Sequence, residues 1–251
     1  MRRKRIWLIP LVVIVLLAGA FLLYTGQYYH ADADAQAALE SDEAVSVTPT
    51  DYGWLFDGPS ETDALIFFPG AKVEETAYAP LLHRLAAQGM DVCLVKMPFR
   101  LAFFGLSKAD AVMARHDYDR WYIGGHSLGG AMAAVYAAGH GERLNGVVLL
   151  AAYPTKALDD HLSVVTIYGS EDGVMNRAKL EKGRPYLPDS AKEYEIEGGN
   201  HAQFGNYGPQ AGDGQAVLSA QEQQGRAVDE IVHYFLTDEK DESVLSPAGA
   251  V

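Results

Sequence analysis

Three short segments of the chain hold side chains that could together break an acyl bond. The stretch Gly124-Gly125-His126-Ser127-Leu128-Gly129-Gly130 sets Ser127 in a G-x-S-x-G pattern, after an apolar run and before an alanine-rich one. A serine so placed sits on a sharp strand-to-helix turn, its hydroxyl raised at the strand end. The free N–H groups and dipole of the following helix favour the negative charge that develops there. A hydroxyl is a weak nucleophile, so it needs a base, and the base needs an orienting acid. Gly169-Ser170-Glu171-Asp172-Gly173, again after an apolar run, offers Asp172 as that acid, with Glu171 as the neighbouring alternative. Gly198-Gly199-Asn200-His201 offers His201 as the base, in a glycine-rich loop. The chain order serine, acid, histidine suits a mainly parallel sheet that carries all three at one edge.

Acyl transfer also needs two donors for the oxyanion. The Leu128 N–H, directly after the nucleophile, is one candidate. The other comes from Pro69-Gly70-Ala71-Lys72, where Ala71 is preferred and Lys72 is the alternative. The segment from Met97 to Phe104 is rich in aromatics, and Met97, Phe99 and Phe103 are expected either to wall the substrate site or to join the core. His126 is expected to point elsewhere on the turn. Cys93 is the single cysteine. It lies in an apolar run, so it reads as a buried structural thiol, with no disulfide and no cysteine metal site. No metal or organic cofactor is implied.

To hold these groups the chain needs strands alternating with helices. Short apolar runs at 64–68, 92–95, 120–124, 146–150 and 164–168 read as buried parallel strands, with 192–197 the last. Runs at 45–48 and 52–56 read as an opening hairpin. Helical spacing appears at 76–88, 107–115, 128–138 and 215–236. The expected fold class is therefore α/β, a mostly parallel sheet with helices on both faces, over residues 44–237. The segment 151–162 is too short for a helical cap, which predicts a fairly open site.

The flanks differ from this domain. Residues 1–5 form a basic stub, and 6–24 are apolar and uncharged, about 28 Å long as a helix, close to a bilayer's hydrocarbon thickness. The basic stub predicts a cytoplasmic N-terminus and a catalytic domain outside the cell membrane. A cleaved signal peptide is the alternative. Residues 25–43 read as a helical or flexible stalk, and 238–251 as an acidic flexible tail. The net charge of −13 argues against nucleic-acid binding.

Around Ser127, Asp172 and His201, over about 45–236, the sequence resembles the α/β-hydrolase superfamily. More narrowly it is similar to small bacterial, membrane-anchored, dienelactone-hydrolase- or esterase-like members without a cap, through FFPGAKVEETAYAPLLHRLA, VKMPFRLAFFG and GGNHAQFGNYGPQAGDG. Pro69 stands where many relatives carry histidine. The resemblance implies a serine hydrolase acting on small-molecule carboxylic or thio esters through an acyl-enzyme. Two other readings remain open: a silent binding module of the same fold at the cell envelope, and an envelope acyltransferase using the same triad.

Overall fold

The computed structural model describes residues 8–237. Its elements begin with α1 (Leu8–Gly26), α2 (Ala33–Ala37), β1 (Ser46–Pro49), β2 (Gly53–Asp57) and β3 (Asp63–Phe68), followed by α3 (Ala79–Ala87) and β4 (Asp91–Val95). They continue with α4 (Lys108–Met113), β5 (Arg120–His126), α5 (Leu128–His140), β6 (Gly146–Leu150) and β7 (Ser163–Gly169). Last come α6 (Arg177–Gly183), β8 (Lys192–Ile196) and α7 (Ala220–Val232). The strands form one sheet in the order β1-β2-β4-β3-β5-β6-β7-β8. The β1–β2 and β2–β4 pairs are antiparallel, and every other pair is parallel.

Burial explains why these runs are continuously apolar. Every residue of β3, β4 and β6 is buried, because both faces of the sheet are covered. Alternate side chains serve opposite cores. Leu65 and Phe67 join α3 and α7 through Leu81, Leu82, Leu85, Val228 and Ile231. Ala64, Ile66 and Phe68 join α4 and α5 through Val112, Ala133, Ala134 and Ala137. Each fully buried leucine stabilises the fold by about 2 kcal/mol relative to exposure. Cys93 is free and buried in the second core, and burial pushes its thiol up to about 12.

Two helices start later than their apolar spacing suggests. Residues Glu75–Tyr78 form a 3-10 turn, and α3 begins at Ala79 because Pro80 fits the first helical turn but not the interior. The last helix begins at Ala220, fixed by a capping box in which Ser219 and Glu222 satisfy each other's backbone N–H groups.

The N-terminal flank bears on two expectations. The expected span at 6–24 is not described whole, since Ile6 and Trp7 lie outside the described residues. Among the described residues, no helix is long and apolar enough to cross a membrane. The expected stalk is docked along most of its length. Tyr29 makes a parallel bridge to Val73, and Ala35 of α2 is fully buried. The basic stub and the acidic tail lie outside the described residues.

Candidate active site

The parallel strands bring one loop after another to the C-terminal edge of the sheet. Ser127 follows β5 with φ 54° and ψ −123°, left-handed for a residue with a side chain. Such strain persists where the surroundings over-determine it. Its N–H donates to Leu150 O at 2.9 Å, and its own carbonyl accepts from Ala131 N–H at 3.0 Å. The turn closes only on glycines. A Cβ at Gly125 would lie 2.3 Å from Phe68 O, and one at Gly129 2.1 Å from the same atom.

Asp172 follows β7 and His201 follows β8, and the two meet. His201 Nδ1 donates to Asp172 Oδ2 at 2.8 Å, and both side chains are buried. The other carboxylate oxygen, Oδ1, accepts from the N–H groups of Val174 at 2.9 Å and Met175 at 2.7 Å. Burial alone would raise the Asp172 pKa. The His201 hydrogen bond and charge, with the two backbone donors, outweigh it and hold the carboxyl below its ordinary value. Asp172 is thus ionised and fixes the ring so that Nε2 is the free face. Glu171 does not compete, since its side chain is exposed and accepts from Ser170 Oγ at 3.1 Å.

His201 Nε2 is buried with no hydrogen-bond partner. Ser127 and His201 line the same cavity of about 340 Å³. No hydrogen bond joins Ser127 to His201 in this state, and catalytic contacts of this kind often tighten only around substrate.

The candidate oxyanion donors are sorted by what is already engaged. The Lys72 N–H donates to Arg100 O at 2.9 Å, which removes it as an alternative. The Gly70 N–H donates to Tyr78 Oη at 3.0 Å. The N–H groups of Ala71 and Leu128 have no acceptor among the described residues. Leu128 is the first residue of α5, where helix geometry leaves the N–H unpaired.

The expected aromatic wall is elsewhere. The cavity beside Ser127 is lined by Leu128, Ala131, Ala152, Tyr153, Val174 and Met175, from the β5, β6 and β7 side. Met97, Phe99 and Phe103 do not line it. They follow β4, which β3 separates from β5, so their loop lies on the far flank of the Pro69–Lys72 turn. Met97 is buried in the second core, whereas Phe99 and Phe103 are each 47% exposed.

Four residues that the loop patterns do not reveal hold the site together. Gln223 of α7 accepts from Asn200 N–H at 2.9 Å and donates to Asn200 O at 2.8 Å, clamping the residue before His201. Asp213 accepts from the N–H groups of His201 at 3.2 Å, Ala202 at 2.8 Å and Gly173 at 3.1 Å, so it ties the base loop to the acid loop. Tyr78 Oη and His126 Nδ1 are 2.8 Å apart, and the His126 ring lies tilted against that of His201, 4.5 Å between centroids. Burial, reinforced by His201, holds the His126 pKa well below its ordinary value, so the ring is neutral. Gly212-Asp213-Gly214 could have marked Asp213 as a turn acid; the other three carry no local signal. Among the described residues, no cluster of three His, Cys, Asp or Glu side chains could hold a metal ion.

Comparison with known proteins agrees with the mostly parallel sheet and its helices. The profile of the Alpha/beta hydrolase family matches residues 64–225. No curated protein sequence matches the chain. Among solved structures, TT1662 from Thermus thermophilus aligns at TM-score 0.55 and 14% identity, covering 77% of this chain and 99% of its own. A dienelactone hydrolase from Anabaena variabilis aligns at TM-score 0.53 and 15% identity, covering 78% of this chain and 99% of its own. A membrane phospholipase A described as a bacterial virulence factor aligns at TM-score 0.53 and 14% identity, covering 93% of this chain and 99% of its own. At such identities the structures share the fold.

Proposed function

The chain belongs to the alpha/beta hydrolase family, and from that premise we propose that it is a serine hydrolase of carboxylic or thio esters, held at a membrane by its N-terminal segment. The observation that carries the reaction is the pairing of His201 Nδ1 with the buried Asp172 carboxylate, which leaves Nε2 without a partner in a ring that lines the same cavity as Ser127.

In this reading Nε2 takes the Ser127 proton as Oγ bonds to the ester carbonyl carbon. The carbonyl oxygen becomes the oxyanion and is met by the Ala71 and Leu128 N–H groups. The intermediate collapses with cleavage of the bond to the leaving alcohol or thiol, which receives the proton from His201. Water, deprotonated by the same Nε2, then attacks the acyl-serine, and the acid and free Ser127 are released. Asp172 stays ionised throughout and stabilises the imidazolium. A dienelactone hydrolase and a membrane phospholipase A among the fold neighbours are in keeping with such a substrate.

The membrane reading rests on α1. Leu11, Ile14, Leu17 and Leu23 around this helix are all more than half exposed. With Ile6 and Trp7, which lie outside the described residues, the apolar run to Tyr24 reaches about 28 Å at helical rise, close to the bilayer core of about 30 Å. The basic residues before it favour a cytoplasmic N-terminus and a sheet on the outer side.

The test is hydrolysis of p-nitrophenyl esters of graded chain length by detergent-solubilised wild type and Ser127→Ala. The account expects kcat to fall by at least about 10⁴-fold in the variant, with its thermal midpoint unchanged. Turnover in the variant close to wild type would remove Ser127 from the reaction.

A further inference from the structure

The loop after β4 is folded so that it exposes what a water-facing loop would hide. Phe99, Phe103 and Phe104 are each close to half exposed, and Phe99 and Arg100 are held at φ 53° and 57°. These rings continue the apolar surface of α1. Phe21 meets Phe99 at 5.1 Å and Phe104 at 5.9 Å between ring centroids, both edge to face. Phe103 in turn packs on Phe104 at 4.4 Å.

Cations gather on the same flank of an otherwise acidic protein. Lys72 lies 4.1 Å over the Tyr24 ring, and Arg100 lies 3.3 Å over the Tyr28 ring. Lys96 and Lys108 flank the loop, Lys96 paired with Glu75 at 3.1 Å. Exposed aromatics beside lysine and arginine, at the end of an apolar helix, form the composition of a membrane–water boundary.

We propose that the Phe99–Phe104 loop and the end of α1 form one seating surface for a bilayer with anionic headgroups. It would hold the C-terminal edge of the sheet, with Ser127, against the lipid. The topology supports that orientation. The loop follows β4 and Lys72 follows β3, both parallel to β5, so α1 leaves the domain from the edge that carries Ser127. The proposal rests on the membrane reading of α1 and adds to it a fixed attitude of the domain.

The experiment reconstitutes the full chain in phosphatidylglycerol–phosphatidylcholine vesicles whose acyl chains are brominated near the headgroup, and reads tryptophan fluorescence. Phe104→Trp and Phe103→Trp report the seating surface. Asp117→Trp, before the start of β5, reports the opposite edge. After subtraction of the wild-type signal, the loop tryptophans are expected to be quenched about twofold or more and the Asp117→Trp signal by less than about 10%, as for side chains 5–10 Å into the interface. Equal quenching of both positions, or none at the loop, overturns the proposal. If the protein floats with the vesicles but the loop is unquenched, the seating alone fails. If it does not float, the membrane anchor fails as well. Neither readout depends on turnover, so loss of the hydrolase reading would leave this test intact.

Discussion

The Tyr78 hydroxyl accepts from the Gly70 N–H and is hydrogen-bonded to Nδ1 of the neutral His126 at 2.8 Å. This buried chain joins the turn that presents Ala71 to the strand that ends at Ser127. Removing the hydroxyl leaves Gly70 N–H and His126 Nδ1 unpaired in a buried place, where each costs about 1–3 kcal/mol. Tyr78→Phe is therefore expected to lower kcat about tenfold, with KM for a short ester nearly unchanged, because the donor is needed most in the transition state. A raised KM with wild-type kcat in steady-state assays would show that Tyr78 shapes binding and does not position the oxyanion turn. Ser127, Asp172 and His201 were legible in sequence because each lies in a local frame, an apolar run followed by glycine-rich residues. Tyr78, His126 and Gln223 were not, because their roles come from segments far apart in sequence that meet only in the folded chain.

Elements set the precision of the site. The strands were legible because burial on both faces makes them continuous apolar runs. The starts of α3 and α7 were misplaced, although Pro80 and the Ser219–Glu222 pair were present to fix them; apolar spacing continues past a start that local backbone chemistry decides. The fit of α5 against β3 is tighter than any pattern shows. Gly129 faces Phe68 O and Pro69 O, and a Cβ there would lie 2.1 and 2.4 Å from them. Gly129→Ala must therefore shift α5 or the oxyanion turn, at a cost of about 2–3 kcal/mol, or roughly 5–10 °C in thermal midpoint for a domain of this size. Calorimetry with an ester assay checks this, and an unchanged midpoint with full activity would contradict the packing described.

At the scale of the whole molecule, the segment that leads from α1 to the sheet belongs to the site. The Tyr29 N–H donates to Lys72 O at 2.8 Å, and Tyr29 O accepts from Glu74 N–H at 2.9 Å. Tyr29 Oη accepts from Ala211 N–H at 3.2 Å, and Asp32 N–H donates to Asn206 O at 2.9 Å. One short stretch thus braces both the Pro69–Lys72 turn and the loop after His201. A chain starting at Tyr28 is expected to keep soluble-ester activity within about threefold of full length, whereas one starting at Leu39 should lose most of it, on the order of one lost brace per loop. Equal activity of the two truncations would reduce the segment to a tether. This docking was not legible, because an Ala- and Asp-rich sequence reads as solvated, while several of the hydrogen bonds that seat it run through backbone groups.

The proposed chemistry stands or falls with Ser127 as the nucleophile activated by His201. Labelling of the full chain with a fluorophosphonate, followed by peptide mapping in the mass spectrometer, tests it most directly. A single phosphonylated peptide is expected, modified at Ser127, absent from Ser127→Ala and formed far more slowly in His201→Gln. A label on another residue, or equal labelling of the Ser127→Ala protein, would contradict it.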